Sequence, residues 1–163
     1  MTVREILQLG NPQLYNVSKV LDYLDTNDLP GIIQDLHDTM MEFRKKYGVG
    51  RAIAAPQIGI MKRIIYMHID RPVVFLNPTL KDLSKEMIEL WDDCISFPDL
   101  LVRVKRHRSC TIEYTDQDWV RQEINIENDL SELLQHEYDH LDGILAVSRA
   151  IDGRSFGYRN QIF

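Results

Sequence analysis

Cysteine is scarce in this chain: Cys94 and Cys110 are the only two among 163 residues. The opening Met1-Thr2-Val3-Arg4-Glu5 also lacks the charged-then-apolar signature of an export signal. A disulfide-built extracellular scaffold is therefore not indicated, and both thiols are expected to stay reduced, free for a core or a metal. A Cys94–Cys110 bridge is the alternative. No run of about 18 apolar residues occurs, so nothing reads as a membrane span. Positive charge is short as well. Lys and Arg number 19 against 25 Asp and Glu, a net charge of −6, which predicts no DNA partner. The one basic run, Arg103-Val104-Lys105-Arg106-His107-Arg108, reads as a solvated strand or turn. Repeats, low-complexity tracts and linkers are missing. With 44% hydrophobic and 27% charged residues, what is left is a soluble globular chain. The expectation is one domain over residues 1–163, in the cytoplasm, with one sizeable core.

The first 25 or so residues read as turns and a short helix around Asn11-Pro12. Leu29-Pro30-Gly31 opens a helix, because proline is tolerated in a first turn. Ile33, Leu36, Met40, Phe43 and Tyr47 follow at steps of 3 and 4, one inward face, and Gly48 is a stop signal. From Arg51 to Ile126 the pattern becomes strand-like. Candidate strands are Ile64–Met67, Val73–Leu76, Met87–Trp91, Cys110–Tyr114 and Val120–Ile126. Asn77-Pro78 and Asp116-Gln117-Asp118 are read as turns between them. A second helix is expected from Asn128 or Asp129 to Leu141, with Asp129-Leu130-Ser131-Glu132 as a capping box. Helix, strands and helix in that order predict an α+β fold.

That second helix carries His136-Glu137-Tyr138-Asp139-His140. Two imidazoles four residues apart share a helix face, close enough to hold one divalent metal, and the glutamate between them can carry a proton for water activated there. The pattern alone also fits two ordinary histidines. Leu141 to Phe163 contains neither His nor Glu, which removes the usual downstream third ligand of zinc proteases. An upstream source is Cys94, within Trp91-Asp92-Asp93-Cys94-Ile95-Ser96-Phe97-Pro98. A thiolate with two imidazoles leaves one tetrahedral position open for catalysis; a buried apolar role for Cys94 is the alternative. A third segment, Gly50-Arg51-Ala52-Ile53-Ala54-Ala55-Pro56-Gln57-Ile58-Gly59, combines small residues with an amide donor at Gln57. It reads either as a ligand-approach loop or as an ordinary strand and turn.

Together, A-A-P-Q-I-G at 54–59, D-C-I-S at 93–96 and H-E-Y-D-H at 136–140 resemble the three ordered motifs of peptide deformylases, G-x-G-x-A-A-P-Q, E-G-C-L-S and Q-H-E-x-D-H. The resemblance spans residues 30–145. It implies antiparallel sheets packed around a central H-E-x-x-H helix. It implies that Cys94, His136 and His140 bind one Fe²⁺, with Zn²⁺, Ni²⁺ or Co²⁺ as substitutes. Glu137 would move the proton, and Gln57 with the Ile95 N–H would stabilise the oxyanion. The implied substrate is the N-formylmethionyl terminus of a nascent peptide, with ribosome contact as a further expectation.

Several positions depart from the family pattern. Ala52 replaces the second glycine of the first motif, Asp92-Asp93 replaces Glu-Gly, and Leu101 stands where an arginine is common, with Arg103 the nearest. The side-chain pocket is expected to involve Arg51, Ala52, Glu132 and Leu133. Helical spacing also puts Asp129 on the Glu132 face. An Arg51–Glu132 pair would make that pocket polar, whereas side chains swung to solvent would leave it apolar. The readings are thus a deformylase, an amidase acting on a small polar N-formyl or N-acyl substrate, or a non-catalytic binding module. The segment after His140 looks short for a full C-terminal helix.

Overall fold

Helix α1 runs Leu29–Tyr47, as the spacing predicts. Pro30 occupies the first turn, and Gly48 stops the helix at φ 73°, a left-handed conformation that glycine adopts without a Cβ clash. Its inward face, Leu36, Met40 and Phe43, joins a core with Ile53, Ile64, Tyr66 and Leu76. This description comes from a computed structural model and covers residues 2–163; Met1, which opens the N-terminal stretch read above, lies outside them.

Seven strands follow α1: β1 (Ala52–Ala54), β2 (Ile64–His68), β3 (Pro72–Lys81), β4 (Met87–Asp92), β5 (Leu100–His107), β6 (Ser109–Thr115) and β7 (Arg121–Glu127). Near the C-terminus comes β8 (Phe156–Tyr158), then a four-residue helix α3 (Arg159–Ile162). One sheet has the order β1-β2-β3-β6-β7 and the other β4-β5-β8; each neighbouring pair is antiparallel. The α+β reading holds.

Asn77-Pro78 is not a turn. β3 runs through it with a register shift between Leu76 and Thr79, the mark of a bulge. Asn77 takes φ 47°, which asparagine tolerates, and its carboxamide grips both polar atoms of the Leu21 backbone at 2.7 and 2.9 Å. The basic run is a strand, as expected, but it is not solvated throughout. Arg103 and Lys105 point outward while Val102, Val104 and Arg106 alternate inward, and Arg106 is only 2% exposed.

Helix α2 (Asn128–Leu141) starts directly after β7. Asn128 has φ 53°, and this left-handed residue turns the strand straight into the helix. The expected capping box is absent: Glu127 holds the cap position without a side-chain bond, and the Glu132 carboxylate is engaged by Arg51. From Ser131 to Leu141 only Tyr138 is not buried. Leu133, Leu134 and Leu141 pack with Ile65, Phe75 and Ile112 of the larger sheet. Gln135 bonds both the N–H and the C=O of His107, which fastens α2 to the end of β5. The histidine-bearing helix is therefore held against both sheets.

Candidate active site

Cys94 and Cys110 are both free and buried, so there is no bridge between them. Cys94 lies just beyond β4, in a turn closed by Phe97 N–H donating to Cys94 C=O at 3.0 Å. This turn aims the thiol at α2. Cys94 Sγ lies 3.3 Å from His140 Nε2, and the two Nε2 atoms of His136 and His140 are 3.2 Å apart. All three donor atoms lie within 4.8 Å of one another. Tetrahedral bonds of about 2.0–2.1 Å to a metal would set two imidazole nitrogens about 3.3 Å apart, so the side chains fit one divalent ion.

Charge around this cluster is arranged by groups behind it. His136 Nδ1–H donates to Asp92 Oδ2 at 3.0 Å, which points Nε2 at the cluster. The same carboxylate accepts from Arg106 at 2.8 Å, and Arg106 also reaches Asp139 at 2.9 Å. Asp139 is gripped in turn by Arg149 through two bonds of 2.7 and 2.8 Å. Burial disfavours the Asp92 anion, but His136 and Arg106 outweigh it and hold the carboxyl well below the usual range. Burial also opposes a proton on His136; Asp92 and Cys94 overcome it and raise that imidazole well above an ordinary histidine. His140 goes the other way, lowered by burial and by the neighbouring His136 charge.

Glu137 lines a cleft of about 470 Å³ together with Cys94 and His136. Its Oε2 is buried and has no partner among the described residues. Burial is the largest effect on it and pushes the carboxyl up to about 7, where a group can both accept and donate a proton near neutrality. Ile95 is a lining residue of the cleft, and its N–H donates to no acceptor among the described residues. Gln57 sits in the 3₁₀ turn Ala55–Ile58, fully buried behind the thiol rather than on the cleft wall. Its Oε1 accepts from Ala54 N–H at 3.0 Å, and its NH₂ reaches Ser96 Oγ at 3.1 Å and Cys94 Sγ at 3.5 Å.

The model of the polypeptide deformylase family matches residues 3–155 of this sequence. The chain belongs to the polypeptide deformylase family. Members of this family are metallohydrolases that act on formyl-peptides. Peptide deformylase 1 of Prochlorococcus marinus is 32% identical over 99% of this chain and 88% of that protein. The peptide deformylase of Leptospira biflexa is 34% identical, with 99% and 96% covered. The crystal structure of the Thermotoga maritima peptide deformylase superposes with a TM-score of 0.85 at 28% identity, covering 93% of this chain and 100% of that one. The Synechococcus elongatus peptide deformylase, solved with actinonin, gives 0.85 at 27%, covering 92% and 80%.

In this deformylase-family cleft, Arg51, Ala52, Glu132 and Leu133 are lining residues together with Cys94, His136 and Glu137. Arg51 Nη2 meets Glu132 Oε1 at 2.7 Å, so the pair forms instead of swinging to solvent. Burial raises the Glu132 carboxyl, with Arg51 opposing. Asp129 is exposed and does not reach the cleft. Leu101 is a core residue of β5, and Arg103 pairs with Glu89 beside the Trp91 ring, so neither takes the place of the family's arginine. Asp93 needs no positive φ; it stands at the cleft rim, held by Arg159 at 2.8 Å. Arg106, Asp139 and Arg149 were not singled out from the sequence. The signal available for Arg106 was the inward phase of a strand that otherwise looked basic and solvated.

Proposed function

We propose that this chain hydrolyses the formyl amide at the N-terminus of formylated peptides, nascent N-formylmethionyl chains among them, releasing formate and a free amine. The observation that carries the reading is the convergence of Cys94, His136 and His140 beside the buried, unpartnered Glu137 carboxylate at one cleft. Cys94, His136 and His140 would hold the metal, which supplies Lewis acidity toward water and the formyl carbonyl. We take Fe²⁺ as the resident ion; a thiolate with two imidazoles also suits Zn²⁺, Ni²⁺ and Co²⁺.

Glu137 takes a proton from the attacking water and returns it to the amide nitrogen as the C–N bond breaks. Its poise near neutrality suits both transfers. Negative charge that develops on the formyl oxygen is met by the Ile95 N–H and by Gln57, which turns the N–H now facing Cys94 Sγ at 3.5 Å toward that oxygen. Asp92 keeps the His136 ring oriented throughout, and Arg106 keeps Asp92 ionised. Action on nascent chains would place the protein in the cytoplasm, within reach of the ribosome.

The test is formate release from a formyl-Met-Ala-Ser peptide by protein loaded with Fe²⁺ under anaerobic conditions, beside Glu137→Gln. Release by the wild type and at least a thousandfold loss in the variant are expected. No release from this or any other formyl-peptide by wild-type protein at full metal occupancy would sink the proposal.

A further inference from the structure

The cleft beside the cysteine–histidine cluster has a mixed lining. Val49, Ile69 and Leu133 provide hydrocarbon, and Arg51 with Glu132 provides an ion pair. Glu132 precedes His136 by four residues, about 6 Å along α2. Arg51 and Glu132 line the same cleft as the cluster, so the pair is within reach of the first side chain of a peptide whose formyl amide sits there. A single hydrogen bond joins Arg51 to Glu132, so the guanidinium keeps further donors and the carboxylate keeps an acceptor oxygen. The Glu132 side chain is 11% exposed and that of Arg51 41%.

We propose that this cleft selects N-formyl peptides whose first side chain has an aliphatic stem and a neutral donor–acceptor tip, glutamine above methionine. The inference rests on the deformylase reading given above. Glutamine and methionine have side chains of nearly equal length, and both stems can lie along Leu133 and Ile69. They differ at the tip. The glutamine carbonyl accepts from Arg51 and its NH₂ donates to Glu132. Methionine covers the same two charged groups with a thioether and removes their water without replacing it. Charged tips fit less well. A cation meets Arg51 and Arg44 on the cleft wall, and an anion meets Glu132 with Asp93 nearby. A sealed polar pocket would discriminate by about 10⁴ or more. Arg51 remains partly exposed, so water still reaches it, and the expected preference is about tenfold to a hundredfold in kcat/KM.

The experiment measures formate release from formyl-Gln-Ala-Ser and formyl-Met-Ala-Ser by the metal-loaded protein, and then by Arg51→Ile/Glu132→Ile. The wild type is expected to favour the glutamine peptide at least tenfold, and the double variant to favour the methionine peptide. Equal rates, or a methionine preference in the wild type, overturn the selectivity while leaving deformylation standing. An unchanged ratio in a folded, metal-replete double variant also overturns it. If neither these nor other formyl-peptides release formate at full occupancy, the deformylase reading fails and the selectivity falls with it. The wild-type ratio decides the matter even if the double variant does not fold.

Discussion

Arg106→Leu is the most informative perturbation of the support behind the cluster. The guanidinium is 2% exposed and bonds Asp92 and Asp139, whose side chains are 4% and 8% exposed. Removing one partner from a buried charge network costs roughly 3–5 kcal/mol, because the remaining charges stay buried. The two carboxylates are not left equally. Asp139 keeps the two bonds from Arg149, whereas Asp92 keeps only His136. Most of the penalty should therefore fall on Asp92. Adding Asp92→Asn should recover part of it, so that the double variant is less destabilised than the sum of the singles by about 1–3 kcal/mol. Urea unfolding of the wild type, both singles and the double gives this coupling directly. Metal affinity should fall about 10–100-fold in Arg106→Leu, since the carboxylate that orients His136 loses its own anchor. A loss under about 1 kcal/mol, the scale of an exposed ion pair, would refute the picture of a buried network.

Three further outcomes follow from the site. Gln57→Ala should lower formate turnover by about 10²–10³ with little change in metal content, and unchanged turnover would remove Gln57 from the oxyanion role. Cys94→Ser should lose most of the bound metal by elemental analysis; full retention would mean that the ligand set is wrong. In metal-free protein, burial raises Glu137 from 4.5 to about 7. The folded chain thus binds that proton more tightly than the unfolded chain, and the associated stability is complete below about pH 4.5 and lost as pH rises toward 7. Glu137→Gln should flatten that fall, worth about 3 kcal/mol, in denaturation curves across the window; parallel curves for the two proteins would contradict the shift.

Two kinds of information separate cleanly here. Period and punctuation were readable along the chain: the 3-and-4 spacing of α1, its Gly48 stop, the strand-like runs of β2, β4, β6 and β7, and the imidazole pair on one face of α2. These depend on neighbours within a few residues, where side-chain direction follows from helix or strand geometry alone. The grouping of Cys94 and Gln57 with that pair was legible only because three short motifs occur in a recognisable order. Besides the basic run, local signals misled in two places. Asn77-Pro78 looked like a turn but is a bulge, since the clamp on Leu21 comes from 56 residues away. Asp129-Leu130-Ser131-Glu132 looked like a cap, but Glu132 is drawn off by Arg51 across 81 residues.

By itself, then, the sequence determined the elements and the chemical types of the reacting groups. Tertiary structure decided their environment: that Arg106 goes inward, that Gln57 stands behind the thiol, that Glu137 is poised near neutrality and that Arg51 and Glu132 close on each other. The physical reason is range. Periodicity is set by the backbone within a turn or two, whereas burial and charge pairing depend on which distant segments the packed sheets and α2 bring within a few ångströms.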